Sequence, residues 1–372
     1  MSPALARAAK GLRTIFGGTL DWDSADRLDP SAMAVTALGM GVPVLVGALI
    51  ARPHIGLAAS VGAMWVGNAP RDASLAEHWR MVRDIVAAAI AAAVVATAIA
   101  QHGWWSDAGL VLTAGLTALL GGFSRPMAVA SQRFIVFVTI GLGIAGHTQN
   151  RVALAVVIAE GTLWAGLCAL AIGAAARRYG FGQAMPAELR SMASFAQKLR
   201  RWRGTLKTVA AWNYPLRLVA CLAAAATIRE AFPQHHYSWI LVAVALLTQR
   251  QGEGLVVKVI QRALGVAAGV IGCEAIAAPL PGWLLVAIIA GLAALSPWLR
   301  KRSYIAYTAA TTPLILLLTS GGGAIAQGLL LDRLVATWIA AGLVIAAWLA
   351  ARRLLNPPPP GGGSDQGQRQ SM

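Results

Sequence analysis

From residue 31 almost to its end the chain alternates long apolar runs with short polar breaks. A helix needs about 20 apolar residues to cross the hydrocarbon core of a bilayer. The runs predict helices over 32–50, 54–69, 82–101, 106–123, 128–146 and 152–176, then, after a polar interval, over 215–231, 237–249, 255–277, 282–297, 304–319 and 330–353. Two of them, 54–69 and 237–249, are short for a crossing. They read either as spans with misplaced ends or as half-helices lining a cavity, as in transporters. The pattern predicts an all-α polytopic membrane protein with about twelve transmembrane helices.

The order of features repeats. Residues 54–99 read as an apolar run, a polar turn at Asn68, Pro70, Arg71 and Asp72, then Arg80 and Arg83 opening an Ala-rich helix. Residues 237–272 read as an apolar run, a polar knot from Gln249 to Gly254, then Lys258 and Arg262 opening a second helix. Arg262 is thereby the counterpart of Arg83. Six helices in each half give two parallel repeats, a pseudo-dimer in one chain, although generic membrane patterning accounts for part of the likeness. The expected units are a first membrane module over 31–176, a linker over 177–214 and a second module over 215–355. Within the linker, Leu189, Met192, Phe195, Leu199 and Trp202 recur at helical spacing, which predicts a helix on the inner membrane surface. Residues 1–30 read as a cytoplasmic amphipathic leader or a loosely ordered one, and 356–372 as a disordered tail.

Composition sharpens this picture. The chain is 57% hydrophobic and 12% charged with a mean hydropathy of +0.63, about half the charge of a soluble domain. Its net charge of +16 would suit nucleic acid only if the cations shared one soluble face, and they lie between the apolar runs instead. With both termini cytoplasmic, 27 of the 31 Lys and Arg fall in inner segments, leaving Arg52, Arg151, Arg229 and Arg333 outside. That asymmetry is the positive-inside pattern. Trp104, Trp105 and Trp283 fall at outer ends and Trp212 and Trp298 at inner ends, as an aromatic belt. Cys168, Cys221 and Cys273 sit apart inside apolar runs as small packing residues. Asp21, Asp23, Asp26 and Asp29 interrupt the N-terminus before any signal-peptide core, so the leader is expected to remain.

No catalytic constellation is visible, so no enzyme, cofactor or metal site is expected. Gly321–Gly323 lacks the Lys-Ser/Thr of a phosphate loop and reads as an external turn. His235 and His236 follow Glu230 but read as a helix end facing water, not a metal set. What remains is ionisable groups in or at the edge of spans, where charge is costly. Arg83, Arg133 and Arg262 stand near inner ends, where snorkelling to headgroups is the plain explanation. The functional alternative makes Arg83 and Arg262 a positive vestibule on the pseudo-twofold axis, holding an organic anion by bidentate guanidinium–carboxylate contacts. Lys258, Tyr237 and Gln249 of the same hairpin complete the expected binding set. Glu160 and Glu274 are candidate proton-coupling carboxyls, with a structural hydrogen bond as the alternative for each. Asp332 and Arg333 are expected to pair with other helices, and Gly265 and Gly269, four apart, to make a close helix contact.

The same hairpin carries a family resemblance. Tyr237-Ser238-Trp239, Thr248-Gln249, Gln261-Arg262, Leu264-Gly265 and Gly269 are similar to the core signature of the fusaric acid resistance protein-like family. Tyr304 and Tyr307 before Thr312–Leu317, and Asp332-Arg333-Leu334, resemble its following segments. The resemblance covers roughly the C-terminal half. That family of bacterial inner-membrane proteins includes aromatic carboxylic acid exporters and is distantly similar to the plant aluminium-activated malate transporters. It implies an inner-membrane exporter of small aromatic or lipophilic carboxylates; with Glu160 as the coupling candidate the expectation is a proton-coupled exporter, with a passive anion channel, suggested by the malate-transporter likeness, or a non-transport scaffold as rivals. The implied partners are the lipid bilayer and an organic anion, with a second copy and a periplasmic adaptor subunit as further candidates and no nucleic acid. Larger members carry a cytoplasmic domain where this chain has only its short linker.

Overall fold

The structure, a computed structural model, describes residue 22 and residues 28–64, 66, 75–100, 102–145, 150–179, 194–250, 254–274, 281–319 and 327–355. Most of the leader, the turn at 68–72, the middle of the polar knot, the first part of the expected surface helix, Gly321–Gly323 and the tail from Asn356 lie outside these residues.

The described residues form thirteen helices and no strand. In the first half these are α1 (Pro30–Leu49), α2 (Pro53–Ala63), α3 (Leu75–Ile99), α4 (Trp104–Leu120), α5 (Arg125–Ala145) and α6 (Arg151–Arg178). A short helix α7 (Phe195–Thr205) follows. The second half holds α8 (Val209–Ala231), α9 (Ser238–Leu247), α10 (Leu255–Glu274), α11 (Gly282–Arg302), α12 (Tyr304–Thr319) and α13 (Gln327–Leu355). Local chemistry starts several of them. The Asp29 carboxylate caps α1 through the Ala32 N–H with Pro30 at the first helical position, and Asn150 caps α6 through the Ala153 N–H. Ser194 and Gln197 form a reciprocal capping box on α7.

A helix coincides with every predicted apolar run, but the expected twelve full crossings are not met. Eight helices are long and apolar enough to span a membrane: α1, α3, α5, α6, α8, α10, α11 and α13. α4 has 17 residues and α12 has 16. α2 and α9 have 11 and 10 and reach only about 15 Å at 1.5 Å per residue. An apolar run shows that a segment avoids water, not whether lipid or protein surrounds it. Here it is protein: α2 packs between α1 and α6, α9 packs between α8 and α13, and eight of the 10 residues of α9 are buried.

Helix ends also differ from the apolar runs. α8 and α11 continue through Pro215 and Pro297, which in sequence read as a start and a stop. Membrane helices tolerate proline because neighbouring groups satisfy the freed carbonyl. α3 begins at Leu75, seven residues before its apolar run, since a helix can extend into the headgroup layer with polar side chains.

Close packing rests on small residues. A Cβ on Gly62 would overlap the Ile158 carbonyl and one on Gly161 the Ala59 carbonyl, so α2 and α6 touch backbone to backbone. α3 packs on α5 and α6, and α10 packs on α12 and α13. Between the halves, α1 meets α11 and α4 meets α8, while α2 touches α12 and α9 touches α5. Arg250, Lys258 and Arg300 gather at one end of the second half, the basic end. There Arg250 donates to the Ala118 carbonyl and Trp202 to the Leu119 carbonyl. At the opposite end Arg229 of α8 pairs with Asp107 of α4 at 2.6 Å.

Candidate functional site

Gly265 and Gly269 set the geometry of the second half. A Cβ on Gly265 would overlap the Thr308 hydroxyl and the Ile305 carbonyl, and one on Gly269 would come 2.7 Å from the Ala309 carbonyl. The α10 backbone therefore lies directly against α12, and Arg262, a turn before Gly265, is carried into the bundle with it. Arg262 is 6% exposed. Its Nη1 reaches the Tyr304 hydroxyl at 3.5 Å, a long and weak contact, and its Nε has no hydrogen-bond partner among the described residues.

Arg333 comes from α13, which packs on both α9 and α10. It is 1% exposed, and its guanidinium lies 4.0 Å from the centroid of the Trp239 ring on α9. Among the described residues neither its Nε nor its Nη1 has a hydrogen-bond partner. The charges of Arg262 and Arg333 are near enough to act on each other, and Cys273 lies beside Arg333. Arginine stays protonated in proteins, so this is a pair of buried like charges. A desolvated cation–π contact gives about 2 kcal/mol, while each unsatisfied buried donor costs about 1–3 kcal/mol. Trp239 offsets part of that cost and leaves guanidinium N–H groups that only an acceptor can satisfy.

Asp332, next in sequence to Arg333, is committed elsewhere. Its carboxylate accepts the His236 backbone N–H at 2.8 Å and meets Nδ1 of His235 at 2.8 Å and of His236 at 3.1 Å. His235 in turn stacks on Tyr237, with ring centroids 4.7 Å apart. The two histidines thus clamp the α8–α9 loop to the first turns of α13, which the sequence, reading them as a helix end facing water, did not anticipate. Among the described residues no three His, Cys, Asp or Glu side chains are arranged to hold a metal.

The other expected site residues are dispersed. Tyr237 belongs to the loop clamp. Lys258 is exposed and donates to Oε1 of Gln249 at 3.3 Å, and the Gln249 carbonyl accepts from Arg217 at 3.0 Å. Beside them the Arg250 guanidinium lies 4.6 Å from the Tyr214 ring centroid. Burial holds Arg250 below the usual arginine range, with the Tyr214 phenol acting the other way. These contacts tie the α9–α10 turn to α8 and α4. Arg83 does not join Arg262: its side chain is 60% exposed and bonded to the neighbouring Asp84 at 2.8 Å. The first-half arginine nearest in role is Arg133 on α5, whose charge acts on Arg300 of α11, while Tyr307 lies within reach of both Arg300 and Arg262. Glu160 sits on the exposed face of α6 and Glu274 is exposed in the last turn of α10.

Arg333 and Trp239 are the residues that sequence reasoning undervalued. A cation inside an apolar run at the end poor in cations was the available signal. Its cation–π partner, 94 positions upstream, left none.

Eight apolar membrane-length helices, with further short helices packed among them, define an all-helical multi-pass membrane protein. Residues 221–347, about a third of the chain, match the family model described as fusaric acid resistance protein-like. The matched stretch contains Trp239, Arg262, Tyr304 and Arg333, and it bears out the family suggested by those segments. Neither the curated proteins nor the solved structures contain a match to the chain.

Proposed function

We propose that the protein is a non-enzymatic bacterial inner-membrane transporter that exports small organic anions, aromatic or lipophilic carboxylates, in a proton-coupled cycle. The carrying observation is the pair Arg262 and Arg333, buried on adjoining helices, with Nε of each and Nη1 of Arg333 lacking acceptors among the described residues. A carboxylate supplies two coplanar oxygens to such a group and neutralises it. In this reading the anion enters past Arg133, Arg300 and Tyr307 at the basic end and passes from Arg262 to Arg333. Both termini lie on that cytoplasmic side.

The helix pairings support a two-repeat design with alternating access. α1–α2, α2–α6, α3–α5 and α3–α6 in the first half have the counterparts α8–α9, α9–α13, α10–α12 and α10–α13. The contacts between halves pair likewise, α1–α11 with α8–α4 and α2–α12 with α9–α5. Parallel repeats of this kind bind substrate near the bilayer midplane and rock about it. The short helices α2 and α9 occupy equivalent central places. An organic anion and the bilayer are the proposed partners; a second copy and a periplasmic adaptor remain further candidates.

One observation favours a passive channel as the second reading: Glu160 and Glu274, the expected coupling carboxyls, are both exposed rather than buried. Proteoliposomes loaded with a radiolabelled aromatic carboxylate separate the readings. Efflux that needs a proton gradient and falls at least about tenfold in Arg262→Ala, with Arg83→Ala unchanged, is the exporter result. Efflux that follows the anion gradient alone makes it a channel, and no efflux from correctly inserted protein leaves the scaffold role.

A further inference from the structure

Helix α7 is held rigidly at the level where the membrane-spanning helices end. Its Trp202 Nε1 donates to the Leu119 carbonyl at 3.1 Å, and Phe123, just after α4, packs against Phe195 and Trp202 at ring separations of 5.5 and 6.3 Å. At its other end Trp212 donates to the Leu206 carbonyl at 2.8 Å, and α8, a candidate span, begins at Val209. The helix therefore lies at the surface from which α8 enters the bilayer, with two tryptophans at headgroup depth.

Helical spacing gives α7 two neighbouring stripes. Leu199 and Trp202, with Leu206 just past the helix, form the half-buried one against the bundle, and the largely exposed Phe195 joins it through its ring contact with Phe123. Ala196, Arg200 and Arg203, continued by Lys207 in the turn after the helix, form the other, at steps of four, three and four. Between the stripes runs a surface groove of about 460 Å³ with Leu199 and Gly204 in its lining. A Cβ at Gly204 would meet nothing within 4 Å, so the groove is open there. All three cations are exposed, and among the described residues no carboxylate pairs with them.

Three exposed cations on one stripe with no carboxylate partner among the described residues, beside an apolar floor, at the membrane surface, match a phosphodiester headgroup carrying acyl chains. We propose that this groove binds an anionic phospholipid, with Arg200, Arg203 and Lys207 around the phosphate and Leu199 against the upper acyl chain. Juxtamembrane cations attract acidic lipid, and a tethered helix forfeits little freedom on binding it. The site is separate from the Arg262–Arg333 pair and does not depend on its role.

The test uses the purified full chain in neutral detergent, titrated with short-chain phosphatidylglycerol, phosphatidylcholine of the same chain length, or inorganic phosphate. Saturable binding of phosphatidylglycerol alone is expected, weakened about tenfold or more in Arg200→Gln/Arg203→Gln/Lys207→Gln. Arg201→Gln, off the groove stripe, should bind as the parent does. Unchanged binding by the triple variant, or an equal loss in Arg201→Gln, overturns the site. Equal competition by inorganic phosphate overturns the lipid assignment in favour of a free anion. A thermal melt of each variant separates lost binding from lost folding.

Discussion

Arg333→Met replaces a guanidinium that is 1% exposed with a side chain of similar reach and no charge. If Arg333 were held for stability, the change would destabilise the bundle, because the cation–π contact with Trp239, at 4.0 Å, is lost. The balance of terms points the other way. The variant forfeits about 2 kcal/mol of desolvated cation–π attraction. It relieves two unsatisfied buried donors at about 1–3 kcal/mol each, together with the repulsion from Arg262. The net expectation is a protein more stable by about 1–2 kcal/mol and defective in anion transport. Replacing buried charge with well-packed apolar groups is often stabilising in this way. Thermal melts in detergent and carboxylate flux in proteoliposomes, measured on the same preparation, give both quantities. Arg333→Lys is the companion variant, since it keeps the charge but not the planar fork. Loss of stability in Arg333→Met with flux retained would refute the reasoning and make Arg333 a structural anchor.

Two further outcomes follow from the packing. Gly265→Val should cost about 3 kcal/mol or more and reduce the yield of folded protein, because its side chain would be driven into Thr308 and the Ile305 carbonyl; a size-exclusion profile indistinguishable from the parent's would contradict this. At the opposite end, Asp107→Asn and Arg229→Ala should each lower the melting temperature and together lower it by less than their sum, with a coupling of about 1 kcal/mol for this half-buried pair; strict additivity would mean that the 2.6 Å contact does not join α4 to α8.

Much of the architecture was legible because membrane insertion writes itself into composition. A helix appeared at each apolar run, and Gly265 and Gly269 marked the α10–α12 contact because only small residues let two backbones approach. Crossing number was less legible. The 54–69 and 237–249 runs are apolar for the same reason as a lipid-facing span, yet they are buried among other helices. The candidate site was half legible: Arg262 stood out as a cation in an apolar helix, whereas Arg83, in an equivalent-looking setting, turns outward to Asp84.

The order of apolar and polar residues by itself determined that the chain is a helical multi-pass membrane protein, since the hydrophobicity of a segment is a local property that no folding step alters. Which of its charges meet was decided only by tertiary structure. Trp239 and Arg333 are 94 residues apart, and His235 and His236 lie 97 and 96 residues from Asp332. They come together because α9 packs on α13, and partnership between distant helices depends on three-dimensional packing that no short sequence pattern records.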